Sequence, residues 1–412
     1  MTSINIHRRA IAITTALTTT TVLLVGCTAV ADGSAVRDPA FHPGAVTRAL
    51  LQTGNYPTAP TAPPAPNASD ARIMEAQRMA GYVIYPWEVN PGLTDPDNLG
   101  LKVIQNSKAL GYAILDADSN PDDPVQTIAR ANGFVNGYAT TRGTPVTAPG
   151  KHMGLYLLVG RFPDADKAAA AAEAFNARIP LPAGSTGAQP ISIPGQPEAQ
   201  ATTYVMPNGH IGVTTNVAHG PYVFHVFAQT DDTADADAAT IAKALDLQGP
   251  RIDQFKPTDP AQFATMNLDP TGMKVRTLQR QTNQVFDGVF TPEAELHVAA
   301  ADNPQVAIDR FNTFGIDLIS NGKAVVYRTK DAAAADGFAD TVAKDFAENA
   351  NPKPAVPGYP GARCFTRTTA KEYQDTIRCV GTADRYVITV FSKQSNDAIQ
   401  QISAEYLMLT AK

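Results

Sequence analysis

Cysteine and tryptophan are nearly missing from this sequence of 412 residues, which holds three of the first and one of the second. Three cysteines exclude a small secreted scaffold built on many disulfides. Positive charge is also short: 33 Lys and Arg stand against 39 Asp and Glu. Without a basic excess or patch, the chain is not a nucleic-acid binder and does not hold an anionic lipid surface by charge. No apolar run reaches the roughly 20 residues a spanning helix needs. The catalytic signatures are missing too: there is no G-x-S-x-G, no Walker loop and no G-x-G-x-x-G after a strand. No cofactor is therefore expected.

What is present begins at the N-terminus. His7, Arg8 and Arg9 precede an uncharged segment from Ala10 to Val25, and Leu24-Val25-Gly26-Cys27 follows. A positive start, a short apolar stretch and a small residue before a cleavage point make a signal peptide over residues 1–26. Leu-Val-Gly-Cys resembles the lipobox of bacterial lipoproteins. The resemblance implies that the Cys27 sulfur takes a diacylglycerol and that cleavage makes Cys27 the new N-terminus. The mature 386 residues carry 31 basic against 39 acidic side chains, so the acyl chains would be the membrane partner.

With Cys27 given to lipid, Cys364 and Cys379 remain as an even pair in an exported chain, where a disulfide is expected. They lie in ARCFTRTT and DTIRCVGT, two strand-like runs. A hairpin turning near Lys371 and Glu372 sets them opposite each other, at a spacing a disulfide accepts.

Residues 27–69 read as the acylated N-terminus and a Pro/Thr-rich tether, ending in PTAPTAPPAP (57–66). Proline favours extended polyproline II there, which predicts a semi-rigid spacer lifting the folded part off the membrane.

Beyond residue 70 the chain repeats itself. HGPYVFHVFAQT (219–230) matches ADRYVITVFSKQ (383–394), with Tyr222 over Tyr386 at an offset of 164. LYLLVGRFPDADKAAAAAEAF (155–175) matches AVVYRTKDAAAADGFADTVAKDF (324–346), with Asp164 over Asp331 at an offset of 167. Each is a strand followed by an alanine-rich helix with an Asp near its positive end. Phe338, Val342 and Phe346 form the core stripe of the second helix. Upstream, Arg130, Asn132 and Phe134 align with Arg310, Asn312 and Phe314 at an offset of 180, the change arising in the longer loop TTRGTPVTAPGKH of the first copy. The copies span residues 70–248 and 251–412.

Strand-like ATTYVMP and HIGVTTNV flank Asn208-Gly209, the strongest short hairpin signal. Each copy then reads as a β-α-β-β-β-α core. The fold class is α+β: two related lobes, each an antiparallel sheet with helices packed on one face.

Asp116, Asp118, Asn120 and Asp122 alternate in DADSNPDD and are the weak candidates for a metal. A calcium loop needs Gly at its sixth position and Glu at its twelfth; Pro121 and Thr127 stand there. The simpler reading is a polar turn in which Asp122 or Asp123 caps a helix from Pro124. The histidines are His7, His42, His152, His210, His219, His225 and His297, with no H-E-x-x-H among them. His219 and His225 could share a strand face, but His225 aligns with Thr389, which favours a structural role. Trp87 is expected to be partly buried.

The lipobox, EAQRMAGYV (75–83), FTPEAELHVAAADNP (290–304), VVYRTKDAAAADGFAD (325–340) and the late cysteine pair together resemble an actinobacterial, mycobacterial and nocardial, family of envelope lipoproteins with a duplicated domain of no assigned function. That resemblance implies location and architecture, not activity. The expected function is a lipid-anchored envelope protein without catalysis, which binds a lipid, a glycan or another envelope protein near the inter-lobe cleft. The alternatives are an envelope hydrolase using scattered Asp, Glu and His, and a structural assembly component.

Overall fold

The computed structural model describes residues 45–96, 102–115, 123–145, 148, 150–281, 284–297, 303–348, 350–367 and 376–411. All fall in one compact unit, Gly44–Lys412. Cys27 and the candidates Asp116, Asp118, Asn120 and Asp122 lie outside the described residues.

The first lobe runs α1 (Ala68–Ala80), α2 (Pro86–Val89), β1 (Val103–Ile104), α3 (Ser107–Leu115), α4 (Pro124–Ala131), β2 (Asn136–Gly143), β3 (Met153–Arg161), α5 (Ala165–Arg178), β4 (Thr186–Ile191), β5 (Ala201–Val205), β6 (Ile211–His219), β7 (Tyr222–Thr230) and α6 (Ala234–Ile252). The second runs β8 (Gly288–Phe290), α7 (Pro292–Glu295), α8 (Pro304–Phe314), β9 (Leu318–Asn321), β10 (Ala324–Arg328), α9 (Ala332–Ala347), β11 (Asn351–Pro352), β12 (Arg363–Arg367), β13 (Thr376–Ala383), β14 (Tyr386–Ser392) and α10 (Ser395–Leu409).

The two sheets repeat the same order. The first is β1-β2-β3-β7-β6-β5-β4, and the second, read from its other edge, is β8-β9-β10-β14-β13-β12-β11. Every pair is antiparallel. Arg161 faces Tyr222 as Arg328 faces Tyr386, which places the offsets of 167 and 164 in the same register. The caps repeat as well: the Asp164 carboxylate accepts from Lys167 N–H and the Asp331 carboxylate from Ala334 N–H. These satisfy donors that a helix start leaves open.

One alignment shifts. α4 ends with Gly133 at φ +71° and Phe134 N–H bonded to Ala129 O, and α8 ends with Gly315 at φ +56° and Ile316 N–H bonded to Phe311 O. Both glycines supply the left-handed turn that reverses the chain out of the helix. Gly133 therefore corresponds to Gly315, and Arg130 does not correspond to Arg310. The shared letters sit two residues out of structural step.

The α+β architecture of two lobes with antiparallel sheets is observed, with one change. Helices cover both faces of each sheet instead of one. On β3, Leu155, Leu157 and Val159 pack with α1 and α6, while Leu158 joins α4 and α5. On β14, Ile388 and Val390 pack with α10, and Val387 points to α9. Successive strand residues point to opposite faces. Two-sided burial explains why these central strands read as nearly continuous apolar runs.

The tether differs from expectation too. Residues 45–66 are not a free spacer but a strap laid along the second lobe. Thr47 N–H bonds Gly358 O, Thr61 N–H bonds Val275 O, and the Tyr56 hydroxyl donates to Asp397 at 2.7 Å. Val46, Leu51 and Tyr56 pack against the cluster around α10. Apolar side chains between the prolines gain more by covering this helix than by remaining in water. The chain then crosses to the first lobe, where Asn67 caps α1.

Cys364 and Cys379 are cross-strand partners on β12 and β13 and form a disulfide, with Cα atoms 4.1 Å apart. The bridge closes a loop of 15 residues, for which chain entropy gives about 3 kcal/mol. The double substitution Cys364→Ala, Cys379→Ala is expected to lower unfolding free energy by that order in a denaturant titration. An unchanged midpoint would show that the hairpin is held by its ladder alone.

Candidate functional site

EAQRMAGYV, which also helps to fill the first core, and residues 290–297 of FTPEAELHVAAADNP meet at the seam between the lobes. Asn67 fixes the start of α1 by accepting from Asp70 N–H at 2.8 Å. Ala76, Met79 and Ala80 then face the first core. Glu75 is buried on the same helix, accepting from Thr258 N–H at 2.6 Å and lying 3.5 Å from the Arg161 guanidinium. Helical spacing leaves Ile73, Met74 and Gln77 turned toward the second lobe.

The Gln77 amide donates to Val285 O and Asp287 O, both at 3.0 Å. Gly288 permits this approach, because a Cβ there would run into the Gln77 side chain. Between α1, the connecting segment Leu268–Lys274, the edge strand β8 and its neighbour β9 lies a groove of about 220 Å³. Its walls carry Ile73, Met74, Leu268, Val289 and Leu318, with Asp70, Asp269, Asp287, Arg78 and Lys274 around them. Threonines 271 and 291 also line it, and among the described residues no histidine, cysteine or serine does.

Farther along the seam the contacts are packed and polar. α7 reaches the first lobe through Tyr85, whose hydroxyl donates to Glu293 O at 2.8 Å. The Tyr85 ring stacks on Trp87 with centroids 4.5 Å apart, and the Arg142 guanidinium lies 5.2 Å from the Trp87 ring centre. Trp87 is half-buried, as the sequence suggested. Arg142 donates to Thr94 O at 2.9 Å and to Leu296 O, and Lys102 donates to His297 O. Two cations of the first lobe thus meet the carbonyls just past α7, the end of a helix that favours positive charge.

His297 and Glu295 complete this cluster. The His297 ring shares a hydrogen bond with the Thr140 hydroxyl at 3.0 Å and lies against Tyr85 and Tyr138. Burial, then the neighbouring Lys102 charge, pulls His297 down to about 3, so it stays neutral. Burial lifts the Glu295 carboxyl to about 7, against the Asn321 amide that donates to it at 3.1 Å. Lys102 falls to about 8, through burial and then Arg142.

The other sequence candidates stand apart from the seam. His219 and His225 do not share a strand: Gly220 and Pro221 turn the chain between them, so His219 ends β6 and His225 lies on β7. His219 is 2.8 Å from the Asp253 carboxylate. His225 is buried against Asn216 at 3.0 Å, and burial lowers it to about 4. Asp123 caps α4, accepting from Gln126 N–H at 2.6 Å. Among the described residues no group of His, Cys, Asp and Glu could hold a metal ion, and no helix is long and apolar enough to cross a membrane. Lys102, Arg142, Glu295 and Gln77 were not singled out by sequence, because their partners lie far along the chain.

Residues 62–268 match the family described as "Domain of unknown function (DUF7373) N-terminal", and residues 272–412 match its C-terminal counterpart. No curated protein matches the chain. Among solved structures, the chain is similar to the crystal structure of the extracellular domain of PknH from Mycobacterium tuberculosis. The identity is 14%, with 44% of this chain and 97% of that one covered, and the TM-score is 0.28. Nothing about this chain follows from so distant a likeness.

Proposed function

Because the chain belongs to the DUF7373 family and carries both its N-terminal and C-terminal domains, we propose that it acts at the junction of the two, as an exported, lipid-anchored envelope protein that binds a ligand without transforming it. The observation that carries this reading is the groove of about 220 Å³ walled by both lobes and their connecting segment. Pockets favour domain interfaces. Covalent catalysis needs a nucleophile activated by an adjacent base; in the lining the Thr271 hydroxyl donates to Asp269 at 3.3 Å, but that carboxylate also accepts from Val275 N–H and closes a local turn. The shifted groups lie in the packed seam: Lys102 and His297 bond across it to His297 O and Thr140, and Glu295 accepts from Asn321 of its own lobe. Export and anchoring rest on the N-terminal sequence, where Cys27 follows Leu-Val-Gly.

Native mass spectrometry of the protein purified from its own envelope tests the binding role. One retained small molecule per chain is expected, and Met74→Trp, which fills the groove, should exclude it. A stoichiometric protein partner and an empty groove would favour the assembly component instead.

A further inference from the structure

We propose that the groove takes the single alkyl chain of an anionic amphiphile, whose acid group pairs with Lys274. This deepens the binding role proposed above and rests on it. Size acts first: about 220 Å³ falls below the roughly 300–1,000 Å³ of pockets for drug-sized ligands. A two-chain lipid or an oligosaccharide is too large, whereas one alkyl segment can lie along Ile73, Met74, Leu268, Val289 and Leu318. Burying such a chain gains about 0.8 kcal/mol per methylene.

The charges decide the head group. Three carboxylates line the groove, and each is already engaged. Asp70 accepts from the Asn67 amide at 3.0 Å, Asp269 from Val275 N–H at 3.0 Å, and Asp287 from Gln284 N–H at 2.9 Å and from Arg280. Arg78 is likewise tied to Glu75 and to Thr258. Lys274 is the lining cation whose ammonium meets no hydrogen-bond or ion-pair partner among the described residues. The segment leading into β8 also exposes Phe286, at 46%, beneath the Arg280 guanidinium 5.1 Å from the ring centre. An apolar tail with an acid head meets the apolar wall and the Lys274 ammonium. A cationic head would meet an unpaired ammonium.

Dodecyl phosphate, below its micelle concentration, is the probe for titration calorimetry on the mature chain, with dodecyltrimethylammonium and inorganic phosphate alongside. One dodecyl phosphate per chain is expected to bind, and inorganic phosphate is not. Lys274→Gln, on a half-exposed side chain, should weaken binding about fivefold at low salt while leaving the melting temperature unchanged. Met74→Trp should abolish binding, with circular dichroism confirming the fold. Equal affinity for the cationic surfactant, or no effect of Lys274→Gln, overturns the proposal. If neither alkyl probe binds while a small molecule from the envelope is still retained and excluded by Met74→Trp, the ligand chemistry fails and the groove remains the site. If nothing is retained either, both readings fall.

Discussion

Cys27→Ala is expected to leave the folded body intact and to remove the protein from the membrane. The sulfur is the atom on which the proposed diacylglycerol would be carried, and alanine offers no thioether. Each acyl chain of about 16 carbons contributes on the order of 10 kcal/mol of membrane affinity at about 0.8 kcal/mol per methylene. Loss of two such chains changes partitioning completely. Detergent phase separation reads the result directly: wild type in the detergent phase, Cys27→Ala in the aqueous phase. The melting temperature should be the same for both, because the contacts described above begin at Val46. A Cys27→Ala protein that still enters the detergent phase would falsify the anchoring assignment.

Thermal stability is expected to fall as pH rises from about 6.5 to about 8. Three buried carboxyl groups drive this. Burial lifts Glu405 to about 8 against the hydrogen bond from Leu278 N–H, lifts Glu295 to about 7, and, with the nearby Asp232 charge, lifts Asp237 to about 7. In the unfolded chain these groups ionise near 4 to 4.5. Each folded-state pKa lies above its unfolded value, so the folded chain holds protons that the unfolded chain has released. The stability contribution is full below the unfolded pKa and is lost as pH climbs to the folded pKa. The window closes near 7 for Asp237 and Glu295 and near 8 for Glu405. Three groups act in the opposite sense: buried His297 and His225, lowered to about 3 and about 4, add stability as pH rises to about 6.5, where the unfolded imidazole gives up its proton, and Lys102, held at about 8, acts only above that pH.

The size of the fall is on the order of several kcal/mol, since each pH unit is worth about 1.4 kcal/mol per fully uncoupled group. Glu405→Gln isolates one part of it. The amide remains neutral and can still accept from Leu278 N–H, the bond seen at 2.6 Å. Its unfolding free energy should depend less steeply on pH between 5 and 8 than that of wild type. A parallel slope would show that Glu405 is ionised in the folded protein.

Legibility in the sequence followed the range of the interactions. The caps at Asp164 and Asp331, the Asn208-Gly209 turn and the cysteine pair depend on residues at most 15 positions apart, and all were readable. The repeat survived because each copy needs the same period-two strands and alanine-rich helices. The helix ends misled by two positions because the shared Arg, Asn and Phe letters do not mark the cap, whereas Gly133 and Gly315 do. Two-sided burial left only an ambiguous trace: Leu155–Val159 reads as a continuous apolar run instead of an alternation, but a short run of that kind does not by itself separate a doubly covered strand from a buried helix segment. The seam was hidden more deeply: Arg142 finds Leu296 O 154 residues away, and Lys102 finds His297 O 195 residues away. No local pattern encodes such pairs.

The strap along the second lobe also sets an order of events. Tyr56 docks on Asp397, a partner 341 residues later in the chain, and Arg48 caps the last turn of α10 through Thr410 O at 3.0 Å. During synthesis from the N-terminus, the segment that emerges early has no surface to bind until the final helix has followed it. Its closure therefore reports that both lobes have been delivered. A chain truncated before α10 would keep this apolar strap unpaired, open to chaperones and proteases. The segment next to the proposed anchor would thus serve as a seal on the finished molecule.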